Sequence, residues 1–339
     1  MSLLKKISTI LLTSVILFSV LPSSRALSEN NSINRVSGIN RYDTAINISK
    51  TYFEHSDYVT IASGENYPDA LVGGTFTSQT KSPMLLTMKN SLPEGFLKEI
   101  KRLSPKKIIV LGGEQSISKE VFNQIKTSSN ASVERISGKN RFETAIKIDD
   151  LRYKEKNINQ KIHGDLYAGV NGYNFPDALV AAPFIGLMSD NGILTYLYLN
   201  KSNNTADYPY IFLFGGKGSI PDSKYAQAER FSGNNRYETA LSVAEGFKKY
   251  FKQSPSKIIL VNGENYPDAL CASSLSGKFK APILLTQKNQ IDEPTLKYLR
   301  ENHIKDIIVV GGKNSVSQNI IDTINKVNSP SEKNKELDK

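Results

Sequence analysis

Three arginines stand at matching places along the chain, each opening a block of the form Arg-Tyr/Phe-x-Thr-Ala. They are Arg41, Arg141 and Arg236, at offsets of 100 and 95 residues. Each is predicted to lie in the first turn of a helix, where a cation is mildly unfavourable, so a specific anionic partner is expected. The leading candidate is an internal carboxylate, from the aspartate of a second block. The rival is an external phosphate, which a guanidinium grips with two hydrogen bonds.

The second block, Pro-Asp-Ala-Leu, places an aspartate at the start of another predicted helix in each repeat. The three are Asp69, Asp177 and Asp268. Free N–H groups and the helix dipole favour a carboxylate there, so a structural role is sufficient to explain them. The alternative is that they accept hydrogen bonds from sugar hydroxyls.

A third block is an apolar strand that ends in two glycines. The pairs are Gly112 and Gly113, Gly215 and Gly216, and Gly311 and Gly312. Ligands of open α/β sheets collect at the carboxyl ends of strands, and exposed N–H groups there can hold an anion. A tight turn is the simpler interpretation of a Gly-Gly pair. All twelve residues of the three blocks are therefore candidates for polymer binding.

Aromatic side chains recur with the blocks, but catalytic residues do not. The recurring rings are Tyr42, Phe142, Tyr237, Tyr67, Phe175 and Tyr266. They suit either stacking on sugars or packing, and the absence of Trp weakens stacking. The histidines do not repeat, and no zinc-binding spacing or Gly-x-Ser-x-Gly elbow occurs. We predict no catalytic residue, metal or cofactor, although a carboxylate pair assembled in three dimensions stays open.

The elements that must position these blocks alternate between strand and helix. In the first repeat we predict a helix over 41–52 that Asn40 caps, a strand over 58–62 and a helix from Pro68. The next predicted elements are a strand over 84–87, a helix over 93–103, a strand over 108–111 and a helix capped by Ser118. This alternation predicts a parallel sheet flanked by helices.

The repeat pattern divides the chain into modules at 34–127, 132–228 and 229–327. The middle module departs from the plan. It has extra polar sequence over 150–163, a strand over 193–199, no room for a helix like 93–103, and a short closing segment. We therefore predict that it is degenerate in function.

The two ends of the chain are set apart from the modules by their composition. A secretory signal is expected over 1–26. Its pattern consists of the positive residues Lys5 and Lys6, the apolar run Ile7 to Val20 and small residues near Ala26. The segment 328–339 is a polar tail without a sorting signal. We expect no membrane span after signal cleavage and no covalent anchor.

Charge and cysteine usage bear on partners. The formal charge is +10, and three of these charges lie in the predicted signal, which leaves about +7. An excess of positive charge favours an anionic polymer as partner. Because an exported protein seldom meets nucleic acid, we expect no nucleic-acid partner. A role in solubility alone is the alternative. Cys271 is the single cysteine, so no internal disulfide exists, and we expect it to be buried.

With these three blocks the chain resembles the cell wall binding repeat 2 family over residues 34 to 327. The resemblance implies an α/β fold of three tandem Rossmann-like or Toprim-like modules with parallel sheets, packed as a pseudo-threefold trimer within one chain. It implies non-covalent anchoring in a Gram-positive wall by an anionic polysaccharide, with other surface-layer proteins as further partners. The alternative functions are a wall amidase or a modifier of one.

Overall fold

The computed structural model describes residues 32–157, 166–201, 208–222, 227–252 and 254–327. The predicted signal over 1–26 and the tail over 328–339 lie outside these residues. So do parts of the middle repeat in which extra or missing elements are expected, namely 158–165, 202–207 and 223–226. The segment from Asn31 onward forms one compact unit.

The first repeat follows the predicted order of elements closely. Its strands are β1 (Ser32–Val36), β2 (Tyr58–Ser63), β3 (Met84–Thr87) and β4 (Lys107–Leu111), and its helices are α1 (Arg41–Tyr52), α2 (Pro68–Thr80), α3 (Phe96–Leu103) and α4 (Lys119–Thr127). The Asn40 side chain accepts from the N–H groups of Tyr42 and Asp43, which confirms the predicted cap. Ser118 caps α4 through the N–H of Val121. Helix α3 begins three residues later than predicted, after Gly95 at a φ of 75°.

The second and third repeats reuse this order with local changes. The second contributes β5 (Ser132–Ile136), α5 (Arg141–Glu155), β6 (Tyr167–Asn171), α6 (Phe175–Met188), β7 (Tyr196–Asn200) and β8 (Tyr210–Phe214). The third contributes β9 (Glu229–Phe231), α7 (Arg236–Phe251), β10 (Lys257–Asn262), α8 (Ala272–Phe279), β11 (Ile283–Thr286), α9 (Glu293–Glu301), β12 (Asp306–Val310) and α10 (Gln318–Val327). In the third repeat a 3₁₀ turn, Ala269–Cys271, precedes α8, so Asp268 stands ahead of a turn rather than of an α-helix. Strand β7 starts three residues later than predicted.

Within the described residues, three parallel sheets of four strands each form the core, and each of them crosses a repeat border. The strand orders are β3-β2-β4-β5, β7-β6-β8-β9 and β11-β10-β12-β1. The first strand of each repeat therefore completes the sheet of the repeat before it. Strand β1 closes the series by pairing with β12, with Val36 opposite Val310. Sheet borders consequently do not coincide with the repeat borders read from the sequence.

The helices that follow the Pro-Asp-Ala-Leu blocks pack together at the centre, because small residues let their backbones approach. A Cβ on Gly277 of α8 would lie 2.5 Å from Cα of Ser78 in α2, and one on Gly186 of α6 would lie 2.8 Å from Cβ of Ser78. The Ser78 hydroxyl donates to the carbonyl of Ser273 over 2.9 Å. The predicted α/β architecture, three modules in a pseudo-threefold intrachain trimer, is confirmed.

The middle repeat keeps its four-stranded sheet. Within the residues described, no helix lies between β7 and β8, in contrast to α3 and α9 in the other repeats. None of the helices in the described part of the chain is long and apolar enough to cross a membrane.

Candidate binding clefts between consecutive repeats

The three sequence blocks meet where one repeat joins the next. At the first junction a cleft of about 420 Å³ lies at the carboxyl ends of the strands. The first repeat lines it with Asp69, Tyr67 and the loop from Gly113, and the second repeat with Lys139 and Arg141. Equivalent residues meet at the second junction, where Asp177 and Gly215 face Arg236, and at the third, where Asp268 and Gly311 face the first repeat. The candidate residues thus form three groups, each shared by two repeats.

Each block arginine is tied to its own repeat by a backbone carbonyl. One terminal nitrogen of Arg41 donates to the carbonyl of Gly64, that of Arg141 to Gly172 over 3.1 Å, and that of Arg236 to Gly263 over 2.6 Å. The expected partner, an aspartate in the same repeat, is therefore replaced by a carbonyl. A carboxylate does lie within electrostatic reach, but it belongs to the preceding repeat: Asp69 for Arg141 and Asp177 for Arg236.

The block aspartates are drawn away from solvent at these junctions. Burial raises the pKa of Asp69, against hydrogen bonds from Ser116 and from Thr144 of the next repeat and the charge of Arg141. Burial likewise raises the pKa of Asp177, against a 3.0 Å hydrogen bond from Ser219 and the charge of Arg236. Desolvation thus outweighs the hydrogen bonds and the arginine charge that favour the ionised form of these carboxyls.

The first glycine of each pair is required by the aspartate beside it. Gly112, Gly215 and Gly311 have φ values of 95°, 108° and 111°. A Cβ at Gly215 would lie 2.6 Å from Oδ2 of Asp177, and one at Gly311 would lie 3.0 Å from Oδ2 of Asp268. The second glycine is different: a Cβ at Gly113 or Gly312 would meet nothing within 4 Å.

An aromatic trio lies where the three junctions converge. The rings of Tyr67, Phe175 and Tyr266 are 5.0 to 6.1 Å apart, centre to centre. Each faces an arginine of the next repeat: Arg141 over Tyr67, Arg236 over Phe175 and Arg41 over Tyr266, at 5.7 to 5.9 Å. This cyclic arrangement ties the blocks into one ring of cation–π contacts.

The repeats match a known family along most of their length. The family described as Cell wall binding domain 2 (CWB2) matches residues 35–122, 135–225 and 230–321. The chain belongs to the CWB2 family. The three matches coincide with the three repeats whose blocks build the clefts, and they confirm the resemblance identified in the sequence.

Individual relatives share the CWB2 repeats within longer proteins. The chain is 29% identical over 329 residues to N-acetylmuramoyl-L-alanine amidase LytC of Bacillus subtilis (strain 168), covering 93% of this chain and 61% of the relative. It is 26% identical over 296 residues to a protein of the same organism named amidase enhancer, covering 84% of this chain and 39% of the relative. The chain thus spans less than two thirds of either relative.

Two solved structures share the CWB2 architecture. Cwp6 from Clostridium difficile matches with a TM-score of 0.70 at 25% identity, covering 89% of this chain and 49% of the other. Cwp8 from the same organism matches with a TM-score of 0.69 at 24% identity, covering 88% of this chain and 52% of the other, and this likeness concerns the fold. The family match identifies three cell wall binding repeats in the chain, and both solved structures share its fold.

In each CWB2 repeat a second arginine, in the strand before the block arginine, has a role that sequence reasoning missed. Arg135 donates to the carbonyl of Gly112 over 2.8 Å, Arg230 to Gly215 over 2.6 Å, and Arg35 to Gly311 over 2.6 Å. The strand that crosses each border thereby fixes the Gly-Gly loop of the preceding repeat. Its recurrence six residues before each cleft arginine was the available signal.

The CWB2 junctions offer little for metal or nucleophilic chemistry. Among the residues described, no group of three or more His, Cys, Asp or Glu side chains could hold a metal ion. Cys271 is buried as expected, and burial raises the pKa of its thiol. A buried thiol of this kind is a poor nucleophile.

Proposed function

We propose that this chain holds on to a Gram-positive cell wall non-covalently, by binding an anionic wall polysaccharide in the clefts between its repeats. The observation that carries the proposal is the placement of one guanidinium at each junction, with N–H donors that make no other hydrogen bond in the described residues. Each of Arg41, Arg141 and Arg236 donates to one backbone carbonyl within the described structure, through a single terminal nitrogen. The other N–H groups suit an anionic group of the polymer.

Multivalency supports this function. Central helices fix the three junctions on one body, so a polymer that reaches a second junction binds there at high effective concentration. Three weak sites on a repeating polymer are then sufficient for retention. The positive formal charge, +10 for the whole sequence and about +7 without the predicted signal, adds long-range attraction for a polyanion.

The location follows from the same proposal. The residues up to Ala26 act as an export signal, and the rest of the chain is displayed outside the membrane at the wall and surface layer, beside other surface-layer proteins. The name of Cwp6 and the family match support this location. The site residues of the proposal are the arginines, aspartates and glycines of the three blocks.

Sedimentation with purified walls tests the proposal. The chain without residues 1–26 is mixed with native walls, and with walls from which acid has removed the anionic polymers. Pelleting with the native walls only is expected. Equal pelleting with both preparations, or with neither, contradicts the proposal.

A second candidate is that the chain modifies a wall amidase. Its support is the likeness to the relative named amidase enhancer over 84% of this chain. Zymography in wall-containing gels distinguishes the two candidates. A clearing band from the chain alone indicates a hydrolase. Faster clearing by an added amidase indicates a modifier. If neither occurs and the chain still binds walls, anchoring is supported.

A further inference from the structure

The three junctions differ at the residue after the glycine whose carbonyl accepts from the block arginine, which is Gly64, Gly172 or Gly263. It is Glu65 in the first repeat, Tyr173 in the second and Glu264 in the third. Tyr173 is 55% exposed, which makes it one of the few exposed large hydrophobic side chains in the part of the chain described. Its ring makes a T-shaped contact with the ring of Phe142, with 5.7 Å between the two centres.

Tyr173 gives the first junction an arginine held between two rings. The Arg141 guanidinium lies 5.4 Å from the centre of the Tyr173 ring and 5.7 Å from that of Tyr67. The Tyr67 hydroxyl donates to the carbonyl of Tyr173 over 3.2 Å, which links the two rings across the junction. The aromatic contacts orient Arg141 without neutralising it.

The corresponding place at the other two junctions carries a carboxylate. Burial and, after it, the Glu65 charge raise the pKa of Tyr42 beside Arg41. Burial and the Glu264 charge do the same for Tyr237 beside Arg236. These glutamates repel an incoming anion, and they offer no flat apolar face to a sugar.

We propose that the junction of the first and second repeats is the principal sugar-binding subsite, which takes a pyranose ring that carries an anionic group. The inference rests on the proposed function and says where and how the polymer is gripped. The sugar ring stacks on the exposed face of Tyr173, and the anionic group pairs with Arg141 and Lys139. Asp69 and Ser116 line the same cleft, and their oxygens are acceptors for sugar hydroxyls.

The carboxylates that line this cleft repel an anionic group beside Arg141 and Lys139 only weakly. Asp69 is already engaged by Ser116 and Thr144. Glu114 is exposed to solvent and lies near Arg135, whose charge offsets it. The second repeat, although it lacks a helix between β7 and β8, thus provides the side chain best suited to a sugar.

The variant Tyr173→Glu tests the inference, because it converts this junction to the form of the other two. Wall pelleting is expected to weaken about tenfold through loss of stacking and added repulsion. Tyr173→Phe keeps the ring and is expected to bind as the unmodified chain does. Glu264→Tyr makes the reverse change at the second junction and is the matched control. It is expected to bind walls at least as well as the unmodified chain does. Thermal unfolding confirms that each variant is folded.

Competition identifies the ligand chemistry. Glucose 1-phosphate, glucose and inorganic phosphate are each added to the unmodified chain bound to walls. Glucose 1-phosphate is expected to release the chain at lower concentration than the other two, and Tyr173→Glu is expected to abolish that advantage. If Tyr173→Glu binds walls as the unmodified chain does, or if Tyr173→Phe loses binding, this inference is overturned while the proposed function stands. If the unmodified chain does not bind walls, the proposed function itself fails.

Discussion

Thr44 of the first repeat donates a hydrogen bond from Oγ1 to Oδ1 of Asp268 in the third repeat, over 2.9 Å and 224 residues of chain. The same hydroxyl accepts from the N–H of Gly38. Asp268 belongs to the Pro-Asp-Ala-Leu block and Thr44 to the Arg-Tyr-x-Thr-Ala block, so this bond closes the ring that the first two junctions begin. The blocks that recur in the same order in each repeat therefore make contacts between repeats.

Thr44→Val tests this closure. The variant keeps the shape but removes the donor to a carboxylate, and hydrogen bonds to charged groups contribute about 1.5 to 3 kcal/mol. We expect the free energy of unfolding in urea to fall by that amount. Thr127→Val is the control, since Thr127 is exposed and its hydroxyl bonds only within α4. An equal loss in both variants would contradict a specific role for the junction.

Gly112→Ala and Gly113→Ala form a matched pair. At Gly112 the φ of 95° and the nearby Asp69 carboxylate oppose a Cβ, whereas a Cβ at Gly113 meets nothing within 4 Å. We expect Gly112→Ala to cost about 1 to 3 kcal/mol of stability. Gly113→Ala is expected to be near neutral in stability. Comparable melting temperatures for the two variants would show that the loop does not need its left-handed residue.

Asp69 gives a pH dependence whose sign is fixed by its raised pKa. As pH rises above 3.8, the carboxyl ionises first in the unfolded chain, so the folded state binds more protons in this window and its stability falls. The decrease in stability ends once the pH exceeds the pKa of Asp69 in the folded state. The free energy of unfolding of the unmodified chain relative to Asp69→Asn is therefore expected to decrease from pH 3.5 upward and then become constant. A relative stability that increases over this window would contradict burial as the dominant influence.

The local elements could be predicted from the sequence because their signals are local. Asn40 and Ser118 are caps with a three-residue reach, and Pro68 suits only a first helical turn. The continuous apolar run before Gly112 is typical of a buried parallel strand. The candidate residues of the blocks were likewise identified, since repetition at offsets of 100 and 95 residues marks them.

The partners of those residues could not be predicted, because they are set by which strand joins which sheet. Strand β1 is as compatible with its own repeat as with the third, and nothing local to Ser32–Val36 decides between them. Arg41 was expected to pair with an aspartate of its own repeat, but it donates to the carbonyl of Gly64 in that repeat. Carbonyl partners such as that of Gly64 also have no side-chain signature in a sequence.

The closing strand β1 makes the third sheet depend on the other end of the chain. Its backbone pairs with β12 along Ser32 to Val36, and Arg35 donates to the carbonyl of Gly311. The N–H of Gly311 in turn donates to Val36 over 2.9 Å. Removing β1 exposes the edge of β12 and frees the third Gly-Gly loop, whereas β2, β3, β4 and β5 keep all their partners.

A chain that begins at residue 37 is therefore expected to lose stability in the third repeat, although the deleted residues belong to the first. Hydrogen exchange provides the measurement. Amides of Asp306–Val310 should lose protection by an order of magnitude or more, since local opening replaces global unfolding as their route of exchange. Those of Lys107–Leu111, the matching strand of the first sheet, should be little changed. Arg35→Ala should show the same pattern more weakly, and Asn34→Ala, at an exposed position of β1, should not. Greater loss in β4 than in β12 would contradict the exchange of strands around the ring.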